Sequence, residues 1–308
     1  MNGTAEVRPG AERLVRVGEV EICAQAFGAA ADPPILLIGG AEASMDWWED
    51  GFCSRLAAAG RYVVRFDTRD TGRSTTFPVG APTYGGEDLI ADVVGLLDAL
   101  GLDSAHLVGV SMGGGMAQTI AARHPGRVAS LTLIATSPAA PGGPDRPELP
   151  PMSDELARKF AEPQPGPDWS DRESVISYFL AGEHTFAGAI PVDEQRVRRV
   201  AGRAFDRSPV PAAAANHWLL DDGKEDDGKE DDGKEEAALS LGDITAPTLV
   251  LHGTQDPLFP YAHGEALARE IPGARLVPLR GMGHQMPPPE LWDTVIAELV
   301  PHTGATAR

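Results

Sequence analysis

His106-Leu107-Val108-Gly109-Val110-Ser111-Met112-Gly113-Gly114-Gly115 decides the fold. A short apolar run stops at a serine framed by Gly109 and Gly113, and Met112–His124 then reads as a helix that ends before Pro125-Gly126. A serine at such a strand-to-helix turn has its hydroxyl exposed at the carboxyl edge of a sheet, and flanking glycines permit the crowded backbone. On either side the same rhythm repeats. Ile35–Ile38, Tyr62–Phe66, Leu131–Ile134, Thr248–Leu251 and Arg275–Leu279 read as strands, and several are nearly continuous in apolar character, as in a parallel sheet buried on both faces. Arg13–Val17 and Val20–Phe27, turning near Gly18, predict a leading antiparallel hairpin. Trp47–Ala59 and Asp88–Leu100 read as helices closed by Gly60 and Gly101, and a last helix opens near Pro289 and buries Leu291, Trp292, Val295, Ile296 and Leu299. Alternating βα units specify the α/β class: a doubly wound, mostly parallel sheet of about eight strands.

The rhythm breaks between residues 137 and 242. A stretch rich in proline and glycine is followed by helix-like pieces at Asp154–Phe160, Arg172–Ala181 and Asp193–Phe205. An inserted helical lid over 137–242 is expected, with residues 1–136 and 243–308 completing one core. Within the insert, residues 221–235 are three tandem copies of Asp-Asp-Gly-Lys-Glu, read as a flexible, solvated loop. Five positions before each repeat glycine stand Trp218, Gly223 and Gly228, none able to supply the oxygen that a calcium loop needs there.

The whole chain has 308 residues, 42% hydrophobic, with a formal charge of −19. That balance argues against nucleic acid and anionic membrane surfaces as partners, because both need Lys and Arg in excess. The first twenty residues lack the basic start and apolar run of a secretory leader, and no run approaches 18 apolar residues, so a cytoplasmic protein is expected. Cys23 and Cys53 make neither a disulfide framework nor a zinc site.

A serine hydroxyl needs a base to remove its proton and a third group to orient that base. Among eight histidines, His284 stands in the glycine-rich loop Gly281-Met282-Gly283-His284 just after a strand. His106 lies inside a strand, His124 at a helix end, His217 in the lid and His302 in the tail. The candidate acid is Asp256, in Gly253-Thr254-Gln255-Asp256-Pro257, close behind the Thr248–Leu251 strand, where an Asp before proline also suits a turn; the turn after Leu131–Ile134 holds no carboxylate. Two N–H donors for an oxyanion are expected from Met112 and from the turn Gly39-Gly40-Ala41, at Ala41 or Gly40. Trp47, Trp48, Trp218 and Phe259 are candidates for an apolar pocket wall, and each also suits the core.

Together, Ile38-Gly39-Gly40-Ala41, Arg65–Ser74, Gly109–Gly113, Gly253–Pro257 and Gly281–His284 resemble the α/β-hydrolase fold superfamily. The stretch Arg69-Asp70-Thr71-Gly72-Arg73-Ser74 and the double glycine resemble a subgroup of methylesterases acting on anthracycline polyketides, of the aclacinomycin methylesterase type. Val110 stands where many members carry His, and Ala41 where the methylesterase carries Asn. The resemblance implies a serine hydrolase of carboxylic esters, acting through an acyl-enzyme on a small-molecule ester, with no metal, nucleotide or flavin. The same constellation serves carbon–carbon bond hydrolysis and cofactor-free perhydrolase or haloperoxidase chemistry, and a receptor can be built on the same scaffold.

Overall fold

The computed structural model describes residues 7–140, 147–162, 166–220 and 239–304, so the acidic repeat lies outside the described residues. Its centre is an eight-stranded sheet: β1 (Arg13–Val17), β2 (Val20–Phe27), β3 (Pro34–Ile38), β4 (Tyr62–Phe66), β5 (Ala105–Val110), β6 (Val128–Ile134), β7 (Thr248–Gly253) and β8 (Arg275–Leu279). The spatial order is β1-β2-β4-β3-β5-β6-β7-β8; β1–β2 and β2–β4 pair antiparallel and every other pair is parallel. The expected doubly wound sheet is what the chain forms.

Alternation along the central strands explains why they are mostly apolar. Leu36, Ile38, Val64, Leu107, Leu131, Leu133 and Val250 join one core, under α2 (Gly86–Ala99), α3 (Met112–Arg123) and α7 (Ala262–Glu270). Ile35, Leu37, Val63, Val108, Leu249 and Leu251 join the other, under α1 (Asp50–Ala58) and α8 (Pro289–His302). With both faces covered, no position is left for a polar side chain to reach water. His302, read as part of the tail, is the last residue of α8, and its Nε2 is 3.0 Å from the Leu131 carbonyl oxygen. No helix among the described residues is long and apolar enough to cross a membrane.

The helix expected over Trp47–Ala59 is instead a 3₁₀ turn at Met45–Trp47 followed by α1. The Trp48 carbonyl takes a guanidinium N–H from buried Arg65, which pulls that peptide out of the helical ladder.

Between β6 and β7 the described chain forms α4 (Asp154–Ala161), α5 (Arg172–Phe186), α6 (Glu194–Arg207) and a 3₁₀ segment at Pro211–Leu219. Asp154, Arg172 and Glu194 each follow a capping side chain (Ser153, Asp171 and Asp193) that accepts backbone N–H groups of the first turn. One side of α6 carries Arg196, Arg203 and Arg207 at helical spacing, and these meet acids presented by the sheet side: Glu49, Asp46 with Asp50, and Glu12 with Asp67.

Asp67 is the most deeply embedded of these acids. Fully buried, it accepts the Met45 and Arg73 N–H groups at 2.8 and 2.9 Å and the Arg207 guanidinium at 2.7 Å. Asp67→Ala is expected to cost about 3–5 kcal/mol, because it strands two buried donors and weakens a buried ion pair. Urea denaturation followed by circular dichroism measures it, and an unchanged midpoint contradicts it.

Candidate functional site

Ser111 sits between β5 and α3 at φ 53° and ψ −119°, a left-handed conformation that costs about 1–3 kcal/mol for a non-glycine residue. Its backbone is held on both sides. The Ser111 N–H donates to the Ile134 carbonyl at 3.0 Å, and the Ser111 carbonyl accepts Thr136 Oγ1 at 2.8 Å and Gly114 N at 2.9 Å. The flanking glycines are required by close approach: a Cβ on Gly113 would lie 2.6 Å from the Ile38 carbonyl oxygen and nearer still to that of Gly39. Gly113→Ala is therefore expected to destabilise the fold by about 1–3 kcal/mol through overpacking against rigid backbone; an unchanged urea midpoint contradicts this.

Sheet order brings the remaining groups to the same edge. The register Ile38↔Gly109 sets the turn after β3 beside Ser111, and a Cβ built on Gly40 stands 3.5 Å from Ser111 Cβ. The backbone N–H groups of Ala41 and of Met112, the first residue of α3, meet no acceptor among the described residues. Both are candidates for holding a developing negative charge, and the start of α3 adds its partial positive charge.

Asp256 follows β7. Its Oδ1 accepts the N–H groups of Leu258 and Phe259 at 2.9 and 2.8 Å, and its Oδ2 is 2.9 Å from His284 Nδ1. His284 Nε2 is in turn 3.0 Å from Ser111 Oγ. The acid is buried and the imidazole nearly so. Because Asp256 can only accept as a carboxylate, Nδ1 carries the proton and Nε2 is left free to accept the serine's.

His284 is fixed by contacts the sequence did not reveal. Its N–H donates to the Phe186 carbonyl at 2.8 Å, and the rings of Phe186 and Phe259 flank the imidazole with centroids 5.8 and 5.3 Å away. Phe186 escaped notice because Gly182 interrupts the helical pattern, yet α5 continues through it for another turn. That turn also brings Glu183 to Gln285, whose Nε2 donates at 3.0 Å, and burial pushes the Glu183 carboxyl above the ordinary range.

The aromatic candidates separate. Phe259 touches the imidazole. Trp47 is buried with its ring 5.8 Å from Phe179 of α5. Trp48 is buried against Phe52 of α1, in the core on that face of the sheet. Trp218 lies at the end of the 3₁₀ segment, 56% exposed, beside the Glu42 carboxyl. Asn216 and His217, beside it, are buried: Asn216 bonds Asp70 and Gly80, and His217 bonds the Glu42 N–H and the Arg69 carbonyl. Among the described residues no cluster of His, Cys, Asp and Glu is arranged to hold a metal ion.

Residues 33–287 match the family described as alpha/beta hydrolase fold. The chain is similar to rhodomycin D methylesterase DauP of Streptomyces sp. strain C5, 32% identical over 95% of this chain and 98% of that one. It is also similar to rhodomycin D methylesterase DnrP of Streptomyces peucetius, 31% identical with the same coverage. A 2-hydroxy-6-oxononadienedioate/2-hydroxy-6-oxononatrienedioate hydrolase of Paraburkholderia xenovorans is 26% identical over 98% of this chain and 99% of that one. Among solved structures, the 2-hydroxy-6-oxo-6-phenylhexa-2,4-dienoate hydrolase of Rhodococcus sp. strain RHA1 superposes with a TM-score of 0.71 at 21% identity, covering 97% of this chain and all of that one.

Proposed function

The chain belongs to the alpha/beta hydrolase fold family, and from that premise we propose that it cleaves carboxylic esters with Ser111 as nucleophile. The observation that carries the reading is the hydrogen-bonded run Ser111 Oγ–His284 Nε2–His284 Nδ1–Asp256 Oδ2, at 3.0 and 2.9 Å. Ser111 Oγ attacks the ester carbonyl as His284 Nε2 takes its proton, and Asp256 stabilises the imidazolium that forms. The carbonyl oxygen, now negative, is held by the N–H groups of Met112 and of Ala41 or Gly40. His284 then protonates the departing alcohol. A water molecule, deprotonated by the same imidazole, attacks the acyl-serine and releases the acid.

The substrate is a methyl ester carried on a bulky apolar or polyketide-like acid. Similarity over nearly the whole length to two methylesterases supports this, as do the aromatic side chains Phe186 and Phe259 around His284. Residues 137–242 act as the cap that selects it, with α5 touching the histidine loop. Incubation with an anthracycline bearing a carboxymethyl ester is expected to give one equivalent of methanol and the free acid. Recovery of unchanged ester, from enzyme that turns over p-nitrophenyl acetate, contradicts the polyketide assignment and leaves the esterase chemistry standing.

A further inference from the structure

Glu42 is an acid that the mechanism leaves unused. It follows Ala41 in the turn after β3, at φ 60°, and its backbone is pinned: its N–H donates to His217 Nδ1 at 3.0 Å, and His217 Nε2 donates to the Arg69 carbonyl at 2.8 Å. Its carboxyl lies 3.5 Å from the Tyr178 hydroxyl through both oxygens, and Trp218 lies beside it. Burial pushes that carboxyl above the ordinary range.

Position gives this acid its meaning. Tyr178 and Phe186 lie eight residues apart on α5, about 12 Å along the helix. Phe186 holds the His284 loop, while Tyr178 meets the turn whose Gly40 abuts Ser111. Thus α5 reaches from one flank of Ser111 to the other. In ester cleavage the leaving alcohol lies toward the imidazole that protonates it, so the acyl portion extends away from His284, toward Glu42 and Tyr178.

No cation balances Glu42 among the described residues. The arginines of neighbouring elements are committed elsewhere: Arg69 to Asp92 at 2.6 Å, and Arg196, Arg203 and Arg207 to the acids that dock α6. A negatively charged acyl chain would enter beside a half-closed carboxyl, and two such groups cannot both stay ionised without a large cost. An uncharged acyl chain meets no such penalty, and its hydroxyl or carbonyl groups find hydrogen-bonding partners in Glu42 and Tyr178.

We propose that Glu42, positioned by His217 and paired with Tyr178, makes the acyl side of the site selective for uncharged substrates and rejects acyl chains that end in a carboxylate. The inference rests on the esterase reading and narrows its substrate class. Dimethyl glutarate and monomethyl glutarate, which differ by one charge at the acyl end, test it through kcat/KM measured by acid release at neutral pH. The neutral diester is expected to be favoured by about tenfold or more per ester group, and Glu42→Gln to raise kcat/KM for the monoester about fivefold. A gain of activity cannot come from a damaged fold. Equal kcat/KM per ester group for the two substrates in the unaltered enzyme overturns the proposal without any variant, as does a Glu42→Gln enzyme that keeps the original preference. Ser111→Ala tested on the diester separates the two ideas: its inactivity keeps the esterase reading whichever way the charge preference falls, and its full activity removes that reading.

Discussion

Ser111→Ala is expected to lower kcat for a p-nitrophenyl ester by about 10⁶-fold while the protein stays folded. The magnitude follows from what the hydroxyl does. In the proposed mechanism its oxygen is the atom that bonds to the acyl carbon, and alanine would offer the substrate only the N–H donors and an unactivated water. The fold is expected to survive because the bonds that hold residue 111 in place run through its backbone, to Ile134, Thr136 and Gly114, and none uses the hydroxyl. Substrate affinity is expected to change little, because the apolar side chains around the site are untouched. Initial rates paired with a urea denaturation curve measure both halves of the expectation. Turnover within tenfold of the original would contradict the assignment of Ser111.

Asp256→Asn is expected to cost about 10⁴-fold in kcat with little change in KM. The reason lies in how the carboxylate is shared. Its Oδ1 accepts two backbone N–H groups, from Leu258 and Phe259, so an asparagine in its place keeps its carbonyl oxygen there and turns its NH₂ toward His284. A donor facing Nδ1 forces the imidazole into the opposite tautomer, with the proton on Nε2 and aimed at Ser111 Oγ. The base can then no longer accept the serine proton. Steady-state kinetics decides it; a loss below about tenfold would show that Asp256 serves only the turn it caps.

The convergence of Ser111, Asp256 and His284 was legible in the sequence because each stands just beyond a strand whose identity is local. A parallel sheet puts the carboxyl ends of those strands on one edge, so three separate turns announce one place. The Gly40–Ala41 turn was legible for the same reason once β3 and β5 are neighbours. What the sequence hid depends on packing between distant segments. α5 runs through Gly182 because its last turn is anchored on His284, a tertiary contact that outweighs glycine's poor helical propensity. Asn216 and His217 look like loop residues, and only the fold reveals that they tie the 3₁₀ segment to Asp70 and to the Glu42 turn. Trp48 and Trp218 show the limit of reading aromatics: adjacent composition does not distinguish a ring stacked on Phe52 in the core from one more than half exposed on the surface. Glu42 gave no signal, since a glutamate after a small-residue turn is ordinary until Tyr178 and Trp218 close over it.

The most direct measurement of the central claim is covalent labelling with a fluorophosphonate, followed by mass spectrometry of the digested protein, in the unaltered chain and in His284→Ala. The expected result is one adduct per chain on the peptide that contains Ser111, with labelling strongly slowed when the imidazole is removed. An adduct on a different serine, or equal labelling rates in the two proteins, would contradict the account.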